Sequence, residues 1–268
     1  MKAKGDIIIL LLSIPLALLT ALASFAGAFN GGTYEKEAIG YAAQAIGQDV
    51  VNLFVVVPIL ISSSIFSYCR NKVGFFIWSG SLFYLAYSYA IYSFALHFNN
   101  LFVVYCLILG LSFFSLLYFF ITMAHEKALE WFTHNVLKKT VAAFLLIISG
   151  LFYCLWLSEI IPAIVAQQAP ASVTENGLLT NPVHVLDLAI CLPGLALTGI
   201  FLLKGKRIGF VLAPAMLSFC ILLAVAILAM VLVMKLKGME ADLLLTVIFG
   251  AIAVSGIFLL VKYLRKLK

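Results

Sequence analysis

Glu159 and Asp187 are acidic side chains set well inside long runs of Leu, Ile, Val, Ala and Phe. An ionisable group placed there is a functional candidate by default, because hydrocarbon solvates charge poorly. Asp187 lies five residues past Pro182, about 8 Å into its helix at 1.5 Å of rise per residue. Glu159 lies at a similar depth from the end of its own run, which predicts the two carboxylates as a pair on neighbouring helices, with His184 tuning Asp187. His184, Asp187, Cys191, Gly194 and Thr198 share one helix face by their i, i+3, i+7, i+10, i+14 spacing, and that face is expected to point at protein rather than lipid. An earlier stripe, Asp49, Asn52, Val56, Ile59 and Ser63, carries polar groups at its first, second and last positions in the same way. Pro58 and Pro193 interrupt the two helices just beyond Asn52 and Asp187, each freeing a backbone carbonyl one turn earlier. Tyr84 and Tyr87 lie roughly 12 to 16 Å from the end of a third run, where each hydroxyl needs a partner. Tyr89 and Tyr92, nearer that end, read as interfacial aromatics. The candidate ligand or proton site is therefore Glu159, His184, Asp187, Asn52, Tyr84 and Tyr87.

The same groups admit other chemistry. A hydrogen-bonded network that fixes helix packing uses the same residue types. Zinc or manganese would accept Glu159, His184, Asp187 and His97, but no ligand spacing beyond His184-x-x-Asp187 supports a metal. His125-Glu126-Lys127-Ala128-Leu129 begins like H-E-x-x-H and lacks the second histidine. The chain has no G-x-S-x-G, no Gly-rich phosphate loop and no mid-span lysine for a Schiff base, so no cofactor is expected and an enzyme is the weaker reading. The five cysteines, Cys69, Cys106, Cys154, Cys191 and Cys220, form no C-x-x-C pair and read as small hydrophobes. Ser62-Ser63-Ser64 reads as a place where helices approach closely.

The elements that must position these groups follow from composition. Of 268 residues 65% are apolar and 10% charged, against roughly 25% charged in soluble domains, which excludes a water-soluble globular fold. Apolar runs long enough for a ~30 Å hydrocarbon core cover 7–28, 50–69, 73–95, 101–123, 140–164, 182–203, 208–234 and 243–261. They are read as eight transmembrane helices of an all-α polytopic bundle, since lipid leaves other backbone conformations unsatisfied. Lys2 and Lys4 before a run ending in Ala26-Gly27-Ala28 resemble a secretory signal, yet the run exceeds a signal core of 7 to 15 residues and is read as an uncleaved helix.

With both termini cytoplasmic, 14 of the 17 Lys and Arg residues face the cytoplasm: Lys2, Lys4, Arg70, Lys72, Lys127, Lys138, Lys139, Lys204, Lys206, Arg207, Lys262, Arg265, Lys266 and Lys268. Lys36, Lys235 and Lys237 fall outside, together with Glu35, Glu37, Asp49, Glu175, Glu240 and Asp242. This asymmetry sets a multi-pass orientation in a plasma membrane. It also accounts for the net charge of +6 without nucleic acid.

Sliding the chain on itself matches residues 50–75 to 185–210 without gaps, at an offset of 135. Pro58 meets Pro193, Gly74 meets Gly209, Phe75 meets Phe210, Lys72 meets Arg207 and Asn52 meets Asp187. Residues 1–135 and 136–268 are read as two four-helix repeats, parallel because each holds an even number of spans. Residues 29–49 suggest a separate interfacial helix, 124–139 a helical extension anchored at the interface by Trp131 and Phe132, and 167–181 a polar turn-rich loop. The favoured reading is a transporter-like membrane protein handling a small solute or ion through an outer-leaflet polar cavity, with the lipid bilayer as its certain partner and no oligomeric state assigned. A non-transporting sensor or assembly partner, and an intramembrane enzyme, are the alternatives.

Overall fold

The computed structural model describes residues 6–132, 137–240 and 243–268. Lys2, Lys4 and Asp242, counted in the charge asymmetry, lie outside them. The described chain is all-helical: α1 (Ile7–Phe29), α2 (Ile39–Tyr68), α3 (Lys72–Ala95), α4 (Phe102–His125), α5 (Lys138–Val165), α6 (Pro182–Leu203), α7 (Arg207–Leu236) and α8 (Leu243–Leu264). Seven of these are long and apolar enough to cross a membrane, which makes this an integral membrane protein. The long helix outside that set is α3, whose Ser79, Ser81, Tyr84, Tyr87, Ser88, Tyr89 and Tyr92 lower its apolarity. Most of these side chains are buried, so α3 runs through the centre of the bundle.

Local signals start the helices. Asp6, Asn71 and Asn181 cap α1, α3 and α6, each accepting a hydrogen bond from a backbone N–H of the first turn, and Pro182 occupies the first position of α6, where its missing N–H costs nothing. Inside α2 and α6 the prolines act differently. A helical proline removes one bond and its ring collides with the carbonyl four residues back, at a cost of ~3 kcal/mol or more. Both helices relieve the collision by widening into a π-turn, Asn52–Val56 and Asp187–Cys191. There the N–H of Val57 reaches Asn52 O and that of Leu192 reaches Asp187 O.

The two π-turns are 135 residues apart, and the match continues beyond them. Helical segments Val57–Tyr68 and Leu192–Leu203 end alike, with Cys69, Arg70 and Asn71 N–H groups bonded to Ile65, Ser67 and Phe66 carbonyls, and Lys204, Gly205 and Lys206 to Ile200, Leu202 and Phe201. Arg70 and Gly205 both take the left-handed conformation, at φ 63° and 67°. A Cβ on Gly74 would collide with the Phe66–Ser67 backbone, and one on Gly209 with Phe201–Leu202.

The helices pack as follows. α2 packs on α1 and α3, α6 on α5 and α7, α4 on α3, and α8 on α7, while α3 and α7 cross at the centre. At that crossing a Cβ on Gly80 would meet Ser218 Cβ and Ala215 O. The start of α2 breaks the correspondence. α2 begins two turns before the position matching Pro182, and those turns lie along α7. The separate interfacial helix expected in 29–49 is thus the first part of a 30-residue helix, because Ala43, Ala45, Gln48 and Asp49 are buried against protein rather than turned to a headgroup layer.

Chain ends and basic turns share one face of the bundle. There the expected helical extension is instead a 3-10 turn, Ala128–Trp131, followed by Phe132, which is 6% exposed. Its ring lies 5.6 Å from Phe210, 5.5 Å from Tyr263 and 6.0 Å from Phe76. Phe132 pairs with Leu267, and Lys268 N–H bonds Trp131 O. The aromatics therefore plug the bundle where an interface anchor was expected. On the opposite face, His97 N–H and Nδ1 meet the Glu37 carboxylate at 2.7 and 3.0 Å, tying the α1–α2 loop to the α3–α4 turn.

Gly47 Cα packs so closely on α7 that a Cβ would collide with the Met230 backbone. Gly47→Leu is expected to cost about 1–3 kcal/mol through overpacking and to lower the thermal midpoint in detergent. Gly110→Leu on α4, with open space around the site, should stay within about 0.5 kcal/mol of wild type.

Candidate functional site

Two buried polar centres lie side by side, and α3 supplies donors to both. Tyr84 and Tyr87 are three residues apart and so about one turn apart. The Tyr84 hydroxyl donates to Asn52 Oδ1 at 2.9 Å, and the Tyr87 hydroxyl donates to Asp187 Oδ1 at 3.0 Å. Each acceptor is the first residue of a π-turn, so the widened backbone presents Asn52 and Asp187 to the same helix.

At the Asp187 centre the second carboxylate oxygen accepts the Trp156 indole N–H at 2.7 Å. His184 stacks on Trp156 with ring centroids 4.7 Å apart, and its Nε2 stands 3.5 Å from Glu159 Oε2. Glu159 Oε1 accepts the Ser172 N–H at 3.2 Å, which docks the α5–α6 loop. All of Glu159, His184, Asp187 and Tyr87 therefore belong to one cluster. Within it the carboxylates are not in direct contact: Trp156 and His184 stand between them, and His184 engages Glu159 rather than Asp187. A ladder results, from Glu159 with its side chain 32% exposed through His184 and Trp156 to Asp187, which is 7% exposed.

The carbonyl released in α6 is handled here too. Because Pro193 has no N–H to continue the π-register, Leu188 O is free, and the Tyr153 hydroxyl donates to it at 3.2 Å. Ser149 Oγ donates to Leu192 O at 2.9 Å.

The second centre is built on Asp49 and Asn52, both fully buried. Tyr34 donates to Asp49 Oδ2, and a Cβ on Gly27 would collide with the same carboxylate, so glycine at 27 is what lets α1 close over it. Tyr92 donates to Ala45 O at 3.0 Å, Tyr89 lies 3.4 Å from Ser24 Oγ, and the rings of Tyr89, Tyr92 and Tyr105 stand 5.3 to 6.0 Å apart. Asp49 Oδ1 and Asn52 Nδ2 are buried without a hydrogen-bond partner. Asn52 and Tyr84 thus belong to this centre and not to the Asp187 cluster, one turn of α3 away.

Asp49, assigned by sequence to an outer loop, is a core residue, and its place in the stripe with Asn52 was the signal for it. Trp156 could have been found as the residue one turn before Glu159. Nothing in the sequence marks Tyr34, which reaches Asp49 from the α1–α2 loop, and Tyr89 and Tyr92 line this centre instead of an interfacial belt. His97 is held by Glu37, far from the metal set considered for it, and among the described residues no group of three or more His, Cys, Asp or Glu is placed to hold a metal ion. No Lys or Arg among the described residues forms an ion pair with Asp49 or Asp187. No known protein family, curated protein or solved structure matches the chain.

Tyr87→Phe or Trp156→Phe leaves an Asp187 oxygen unpaired and is expected to cost about 1–3 kcal/mol, read as a lower thermal midpoint. Tyr153→Phe, which strips the Leu188 carbonyl, should cost a similar amount, whereas Phe94→Leu on the exposed end of α3 should not register. Burial pushes the Tyr34 hydroxyl well above its ordinary range. Its contribution to stability is therefore intact below about pH 10, the unfolded phenol's value, and is lost as pH rises beyond it. Melting curves of wild type should consequently fall more steeply above that pH than those of Tyr34→Phe.

Proposed function

We propose that this integral membrane protein handles a small solute or ion, transporter-like, at the Asp187 centre, with Glu159 and His184 at its outer entrance. The carrying observation is that both halves break one helix into a π-turn at the same register, begin that turn with a buried polar side chain, and have it held by a tyrosine of the same central helix. π-turns concentrate at functional sites, and carboxylates without a cationic partner in low dielectric attract protons and cations.

On this reading the two halves are parallel four-helix repeats, residues 1–135 and 136–268, all eight long helices span the bilayer, and α3 is the helix of the first repeat that packs on α7 of the second. The face bearing the chain ends is cytoplasmic, because Arg70, Lys72, Lys127, Lys138, Arg207, Lys262 and Arg265 gather there, and the membrane is a plasma membrane. Glu159 then faces outside, and a cation or protonated solute reaching it meets His184, the Trp156 ring and the Asp187 carboxylate in turn, with Tyr87 closing the far side. Cation–π attraction to Trp156 assists a cationic ligand.

A second reading is favoured by a specific feature: both Asp187 oxygens are already paired within the protein. A sensor or assembly partner needs the cluster only as such a lock. Reconstitution in proteoliposomes separates the two. Asp187→Asn is expected to abolish solute uptake or pH-linked current while the protein still melts cooperatively. Undiminished transport by that variant would remove the residue assignment. A variant that only melts lower, in a protein showing no flux and no ligand-induced thermal shift under any ionic condition, would establish the structural role instead.

A further inference from the structure

A groove of about 550 Å³ runs between α2, α3, α7 and α8, on the half of the bundle nearest the chain ends. Along α2 it extends from Val55 to Phe66, about 16 Å by helix rise, or one leaflet of a ~30 Å hydrocarbon core. Its walls are apolar even where the residue types are not. Ser62 Oγ donates to Pro58 O at 2.8 Å, Ser63 Oγ to Leu60 O at 3.2 Å and Ser218 Oγ to Pro214 O at 2.9 Å, so these hydroxyls are spent on their own helices and the surface offered suits hydrocarbon.

At the matching positions of the other half, bulkier side chains stand where this groove is lined. At the 135-residue offset Ser218 corresponds to Phe83, and at the 140-residue offset that matches α4 to α8, Leu260 corresponds to Phe120. Phe83 and Phe120 stand edge to face with centroids 6.1 Å apart, an aromatic pair where the groove side has a serine and a leucine. Basic residues follow the groove's lining in sequence at this end: Arg70 adjoins Asn71 of the wall, Lys262 adjoins Val261, and Arg265 follows one turn on. These three side chains are exposed. Each basic residue near a membrane surface attracts anionic lipid.

We infer that this groove is a binding site for one anionic phospholipid, its acyl chain along Val55, Ile59, Val225 and Ile257 and its phosphate at Lys262 and Arg265. The apolar walls match a chain in hydrocarbon rather than a polar solute, and the cationic rim selects the headgroup. The site uses none of the polar groups of the two centres and does not depend on what they bind.

The full chain, reconstituted in nanodiscs with phosphatidylglycerol and phosphatidylcholine of identical acyl chains and released for native mass spectrometry, tests this. One phosphatidylglycerol should be retained in preference to phosphatidylcholine. Val225→Phe, or Ser62→Phe from the opposite wall should the first not fold, should abolish retention without lowering helix content. Lys262→Gln with Arg265→Gln should leave a lipid bound but weaken the headgroup preference, roughly fivefold for each charge removed. Equal retention of the two lipids by wild type, or unchanged phosphatidylglycerol retention with the groove filled, would overturn the site.

Discussion

Hydrocarbon offers a backbone no partner, so each N–H and C=O inside it must be met from within the protein. Pro58 and Pro193 break that rule in the middle of α2 and α6, and much of the interior is arranged around the repair. The π-turns remove the ring collision, but widening the helix displaces Asn52 and Asp187 and leaves a carbonyl exposed. In α6 the repair is visible: the Tyr153 hydroxyl donates to Leu188 O. A polar side chain on α5 thus answers a proline on α6. The same displacement turns Asp187 toward Tyr87 and Trp156.

A second dependence runs through α3. Its hydroxyl-rich sequence makes it the least apolar of the long helices, and that is tolerable because it is enclosed by α2, α4 and α7. Gly80 against Ser218 and Ala215 brings it close enough to α7 for Tyr87 to sit edge to face on Phe219, 5.8 Å away. Since Tyr84 and Tyr87 occupy one turn, a rotation or slide of α3 cannot lengthen one of their hydrogen bonds without acting on the other. The helix is a mechanical link between the two centres.

Fold class was readable because a bilayer demands long apolar runs, and those runs are unambiguous in α1, α4 and α8. The registers of Asn52 and Asp187 were readable because proline leaves few ways to keep a helix in hydrocarbon intact. Sequence underestimated continuity. Residues 39–46 are amphipathic, a pattern equally satisfied by lipid headgroups or by a neighbouring helix, and only the long C-terminal end of α7 decides for the helix. Likewise Trp131 and Phe132 suit an interface by type, and become a plug because Phe210 and Tyr263 converge on them from distant parts of the chain. Depth along separate helices placed Glu159 beside Asp187, but depth carries no azimuth, and Trp156 with His184 fills the space between them. Tyr34 was invisible because its partner, Asp49, comes from a different element and no periodicity connects a loop to a helix.

The remaining asymmetry lies in how each centre is enclosed. At the shared offset His184 stands where the other half has Asp49. The first centre therefore holds a carboxylate under Gly27 and Tyr34, capped by a loop that Glu37 and His97 pin in place, and its two added helical turns lie along α7. The second has a titratable imidazole at that position, starts its helix two turns later, and leaves Glu159 partly exposed beside it. The two added turns of α2 lie along α7, so the enclosure of Asp49 comes from Gly27 and Tyr34, while Glu159 of the second centre stays partly exposed. A carboxylate sealed on one side gives α3 a fixed point to bear on through Tyr84 and Asn52, and the second centre grips the same helix one turn away through Tyr87 and Asp187.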